Sequence, residues 1–166
     1  ATMLYWTVWA LARYDIWLVD HGTCSTLDEL SEIATGPYRD ALNQDQSCKL
    51  ILPDSGYRTK EVYEFCLRNP RSIPIKGDSG ATTSQSIPIR VQQIDQYPDG
   101  RKMVGRGLPL WHLHPTYFRE DLLNLLRVRE PDDMDKDGST LRIHFHDEID
   151  RAFIEQLTNE VPIETK

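Results

Sequence analysis

LILPDSGYRTKEVYEFC, residues 50–66, is where the chain declares its architecture. An apolar run over 50–53 stops on one carboxylate, Asp54, and Ser55-Gly56 then turns the chain. Residues 59–69 place Val62, Phe65 and Cys66 on one side of a helix that ends before Pro70. A short apolar run closed by turn residues reads as a buried strand. SIPIKG (72–77) reads as the next one. Strand, helix, strand in that order predicts an α/β sheet with parallel members.

Upstream, MLYWTVWALARYDIWLVDHG (3–22) predicts two strands joined by a turn near residues 13–15, because Trp, Val, Ile and Tyr suit a pleated, half-buried surface. TLDELSEIATG (26–36) predicts a helix. Thr26 and Glu29 have capping-box spacing, Leu27, Leu30 and Ile33 share a face, and Gly36 suits the stop. Pro37 is expected to open a second short helix through about Leu42.

Downstream, the small polar run GDSGATTSQS (77–86) predicts a mobile loop. IPIRVQQIDQYPDGRKMVGRG (87–107) predicts a hairpin turning at Pro98-Asp99-Gly100, and LPLWHLH (108–114) a strand. PTYFREDLLNLLRV (115–128) predicts a helix with Phe118, Leu122, Leu125 and Leu126 on one face. An acidic loop (130–139), a strand LRIHFH (141–146) and a closing helix over 147–160 complete the pattern, with no internal repeat. A chain of 166 residues suits one domain with its own core.

Charge narrows the function. The net charge of −7 argues against a general nucleic-acid coat. Residues 55–106, however, hold nine Lys/Arg against five Asp/Glu, which leaves −11 on the remainder. A polyanion would therefore meet the middle segment, although such charges also serve as ordinary solvated surface. The scattered Cys24, Cys48 and Cys66 form neither a disulfide framework nor a zinc ribbon and fit a reducing compartment. The apolar N-terminal run ends at Arg13 and is too short to span a bilayer, and it has no basic leader.

Asp54 has two readings. Aspartate is common in turns, where it bonds its own backbone. At the carboxyl end of a strand in an open α/β sheet it also stands where ligands bind, and a carboxylate there suits a hard cation. Lys76, ending the next parallel strand, is expected on the same rim, where it would hold a phosphate or serve as an ordinary strand-end lysine. His112/His114 and His144/His146, the latter followed by Asp147, are i,i+2 pairs that would grip a transition metal from one strand face; histidines at strand ends more often pack or hydrogen-bond. Asp133, Asp135 and Asp137 echo the start of a calcium loop, but His144 stands where the closing Glu is needed. The chain has no P-loop pattern and no G-x-S-x-G elbow, so neither ATP binding nor serine-hydrolase chemistry is supported.

Taken in order, DSGYRTKEVYEFC, IPIKG, LWHLHPTYFREDLLNLL and IHFHDE…FIEQLTNE resemble the nuclease domain of the large terminase subunit of tailed phages, of the lambda-like GpA type. The resemblance runs over most of the chain and is strongest at 50–77. It implies an RNase H-like mixed sheet flanked by helices and a single nuclease domain over 1–166, a fragment of a longer subunit. It implies cutting of concatemeric double-stranded viral DNA with carboxylates and Mg²⁺ or Mn²⁺, in the cytoplasm of a bacterial host. The small terminase subunit and the portal protein are implied as partners, and no membrane is.

The resemblance makes Asp54 a catalytic metal ligand. It places the family's first acid, on a central first strand, before Ala1, and a further acid beyond Lys166. Asp20 matches no catalytic position. A sheet without its central strand would expose edges that a partner strand, as in a dimer, could cover. The expected DNA or phosphate contacts are Arg58, Lys76, Arg90, Arg101, Lys102 and Arg106. A lone carboxylate binds Mg²⁺ weakly, so the isolated chain is expected to show little nuclease activity. The competing readings are a non-catalytic module docking DNA or a portal, and a His-ligated metallohydrolase.

Overall fold

The computed structural model describes residues 3–78, 83–84, 86–105, 107–127 and 141–158. These form two compact units, one from Ala1–Cys24 with Val128–Lys166 and one from Ser25–Arg127. Both mix helix and strand, and the described strands form two three-stranded sheets and a two-stranded ribbon.

In the larger unit, α1 (Leu27–Thr35) starts and stops as its sequence predicts. The Thr26 hydroxyl accepts from the Glu29 N–H at 3.1 Å, and Gly36 takes the left-handed φ of 99° at the stop. Glu29 bonds the N–H of Ser25, one residue before the cap, at 2.8 Å. The short helix expected after Pro37 does not form. Instead β3 (Tyr38–Arg39) pairs with β4 (Asp45–Gln46) in an antiparallel ribbon. The cause is Asp40, whose carboxylate accepts from the N–H of Leu42 and Gln44 and from Gln46 Nε2, all at 2.9 Å. That side chain satisfies backbone donors in a turn and so competes with a helix.

Residues 51–55 run parallel to 72–75. Bridges join Ile51 to Ser72 and Asp54 to Ile75, and the Ile75 N–H donates to Pro53 O at 3.0 Å. Pro53 and Pro74 each lack an N–H, so the ladder is broken into bridges rather than a continuous strand. The crossover helix α2 (Thr59–Arg68) follows 51–55 and leads to β5 (Ile75–Gly77). β5 pairs in parallel with β7 (Leu108–Leu113), and β7 pairs antiparallel with β6 (Ile89–Ile94).

The expected turn at 98–100 is present, with Gly100 N–H donating to Tyr97 O at 2.9 Å. The expected hairpin is shorter than its sequence span, however: beyond the Gln96–Lys102 bridge the partner of β6 is β7. One face of this sheet meets α2, and Val62, Tyr63, Phe65 and Cys66 close with Met103, Leu108 and Leu110 into the core. α3 (Pro115–Arg127) carries Phe118, Leu122, Leu125 and Leu126 on its half-buried side.

In the other unit, β1 (Leu4–Leu11) pairs antiparallel with β2 (Asp15–Cys24), with a bulge at Val8/Trp9. β8 (Arg142–His144) adds in parallel to the start of β2. α4 (Arg151–Thr158) begins later than predicted because Asp150 caps it, accepting from the Phe153 N–H at 2.7 Å. The acidic loop at 130–139 and half of the loop at 77–86 lie outside the described residues. Among the described residues no helix is long and apolar enough to cross a membrane. Burial pushes the Cys66 thiol up to about 12.

Candidate functional site

The rim where 51–55 and β5 both end is the site the sequence singled out. Asp54 is exposed there, and its Oδ1 accepts from the Gly56 N–H at 2.9 Å. Both readings of this residue therefore meet in one side chain. One oxygen builds the turn; the carboxylate stays open to solvent and is not consumed in capping α2, whose N-terminus has no side-chain cap. Beneath it Ser55 is fully buried, donates to Ile75 O at 2.8 Å and hydrogen-bonds Tyr63. That pair anchors the turn to the sheet. Burial raises the Tyr63 hydroxyl above its ordinary pKa, so it stays protonated.

Register sorts the rim into two faces. Asp54 is bridged to Ile75, Ile75 is opposite Trp111, and Trp111 is opposite Val91. Directly opposed residues project to the same side, so these four share the face away from α2. Lys76 is one step further along β5 and leaves the other face, level with His112 and Arg90. Lys76 shares the carboxyl rim with Asp54 but not its face.

The remaining expected cations fall into different classes. Arg58, with a left-handed φ of 57°, is ion-paired with Glu61. Arg101 is held by Asp99, its Nε and Nη2 each 2.9 Å from Oδ2, and lies over the Tyr97 ring. That pairing pulls Asp99 below its ordinary pKa and lifts Arg101 above its own. Lys102 is exposed at the Gln96 bridge. Arg106 lies outside the described residues.

The two His-x-His pairs have other duties. His112 Nε2 is 2.9 Å from Gln92 Oε1, and His114 Nδ1 accepts from the Tyr117 N–H at 3.1 Å, which caps α3. His144 Nε2 is 2.8 Å from Asp15 Oδ1, and His146 Nδ1 accepts from the Glu148 N–H at 3.2 Å. No group of three or more His, Cys, Asp or Glu side chains converges for a metal among the described residues. Asp54 by itself does not make a metal site. Asp20 sits in the other compact unit.

The sequence reading passed over Asp78. It is buried at 8% exposure, and its N–H donates to Leu113 O at 2.9 Å, so it continues the β5–β7 pairing past Gly77. An acid two residues beyond Lys76 was the available signal, since i and i+2 share a strand face.

The structure thus defines a mixed α/β protein whose open carboxylate stands at the carboxyl rim of a parallel pair. A family model for the terminase large subunit gpA endonuclease domain matches residues 2–165 of the 166, and the chain belongs to that family. No curated protein and no solved structure matches the chain.

Proposed function

We propose that this chain is part of a metal-dependent endonuclease that cuts concatemeric double-stranded viral DNA for packaging. One observation carries the reading: in a chain of this family, Asp54 is an exposed carboxylate at the end of a parallel segment, on a turn that leaves it open to solvent. A divalent ion, Mg²⁺ or Mn²⁺, would polarise a phosphodiester and supply the hydroxide that attacks it. Asp54 would be one ligand, and the set needs further carboxylates from outside the described residues. An RNase H-like arrangement, a single nuclease domain embracing both units, and action in the host cytoplasm beside a small subunit and portal belong to the same proposal. The family match, which spans both units, supports it.

The test is plasmid cleavage in Mg²⁺ or Mn²⁺. In the large subunit carrying this domain, Asp54→Asn is expected to lower nicking at least about 100-fold while DNA binding persists, the size of loss typical when a group acting on the reacting centre is removed. The 166-residue chain alone is expected to nick little. Unchanged cleavage in the variant would remove Asp54 from the chemistry. Robust nicking by the chain alone, abolished by Asp54→Asn, would show that no outside acids are needed.

A second reading, a non-catalytic docking module, draws on the sheet face that carries Asp54. Leu52, Ile89 and Val91 on it are 43%, 42% and 55% exposed. DNA binding that depends on salt but is indifferent to Mg²⁺, with no cleavage in any form of the protein, would favour it.

A further inference from the structure

The face opposite Asp54 brings Lys76 and Arg90, separate expected contacts in the sequence, into one row with His112. Lys76 on β5, His112 on β7 and Arg90 on β6 are direct register partners. They therefore stand side by side across three strands and project to one side. The Gln92 contact checks this: Gln92 is two residues from Arg90, and its Oε1 meets His112 Nε2 at 2.9 Å, which requires both side chains on that face. Lys76 and Arg90 are exposed, and His112 is half-buried.

The same face carries Leu108 and Leu110 under α2, so the row is its uncovered continuation at the carboxyl end of β5 and β7. Asp78 and His114 lie on the same face, one step further along β5 and β7. Asp78 is buried, and His114 has Nδ1 committed to the start of α3.

We infer that Lys76, His112 and Arg90 form a phosphate-binding row that receives the backbone of one DNA strand laid across the sheet. The choice of DNA rests on the proposed function; the polyanion itself is indicated by the row. Strands about 4.8 Å apart make the row about 10 Å long. One DNA strand carries a phosphate about every 3.4 Å of helix axis, so the row matches a short series of phosphates better than one small anion. Gln92 orients the imidazole through Nε2.

The experiment is duplex DNA binding by the chain in EDTA, titrated at several salt concentrations. Without metal, the outcome does not depend on whether Asp54 cleaves. Lys76→Ala and Arg90→Ala are each expected to weaken binding several-fold and to reduce the slope of log K against log salt by about one. Arg68→Ala, whose guanidinium is paired with Asp28, is the control and should change little. Inorganic phosphate at matched ionic strength should compete poorly. The inference is overturned if the chain does not bind duplex DNA, if Lys76→Ala and Arg90→Ala bind with unchanged slope, if Arg68→Ala loses as much, or if free phosphate displaces the DNA efficiently. A row that binds DNA while Asp54 proves catalytically silent would sink the nuclease reading and leave this one standing.

Discussion

The two compact units are held together by different chemistry. In the Ser25–Arg127 unit the centre is apolar: Phe65 is fully buried, and Cys66, Val62, Leu108 and Leu110 are each at most 4% exposed. In the unit from Ala1–Cys24 and Val128–Lys166 the described buried side chains are Leu18, Cys24 and Phe153. There the work falls to titratable and aromatic groups. Asp15 accepts from Arg142 at 2.8 Å and meets His144 at 2.8 Å, and Trp17 stacks on His144. His21 stacks between Phe153 and His146 at centroid distances of 4.5 and 5.5 Å. Trp6 Nε1 and His21 Nε2 are buried without a hydrogen-bond partner among the described residues. An apolar core depends little on pH, whereas the paired Asp15 carboxylate ties this seam to it.

The largest expected effect tests the apolar side of this contrast. Phe65→Ala removes a ring with no exposed surface and should cost about 3–5 kcal/mol, read from chemical denaturation near neutral pH. A loss below about 1 kcal/mol would mean the core collapses onto the gap and is not tightly packed. Gly107→Ala should cost less, about 1–3 kcal/mol. A Cβ there would lie 2.3 Å from Ile94 O, and that oxygen belongs to the strand pairing rather than to a side chain that can swing away. Wild-type stability in this variant would show that the entry to β7 can shift.

These two sites also mark how far the sequence could be read. Phe65 was legible because helical spacing set it beside Val62 and Cys66, and the cap at Thr26 and the turn at 98–100 were legible because their signals are local. Asp54 was legible as a residue poised between turn and ligand, and it is found making the turn while staying open. What could not be read was pairing between distant segments. The sequence does not say that β8 would add to the start of β2, or that β6 and β7 would align Arg90 with His112. A one-residue shift in that register would send Lys76 and Arg90 to opposite faces, and no local signal sets it. The helix expected after Pro37 failed for a local reason: a proline suited to a helix start lost to a side chain three residues later, Asp40, that satisfies two backbone donors in a turn.

The smallest expected effect tests the polar side and concerns Asp15. Its hydrogen bond with His144, then the neighbouring Arg142, holds its carboxyl below the ordinary aspartate value of 3.8, with partial burial working the other way. A depressed folded-state pKa gives a stabilisation that is complete above the unfolded value and is lost as pH falls through the folded one. Acidification below about pH 4 should therefore loosen this unit. Three of the four tryptophans, Trp6, Trp9 and Trp17, lie in it, so their emission reports it against Trp111 in the other. Asp15→Asn keeps the shape but cannot hold the charge. The variant should be less stable than wild type at pH 7, and the gap should close as pH falls below about 4, because both proteins then lack the carboxylate. Stability curves that stay parallel on acidification would show that the pairing adds nothing, and that β8 is fixed to β2 by its backbone ladder instead.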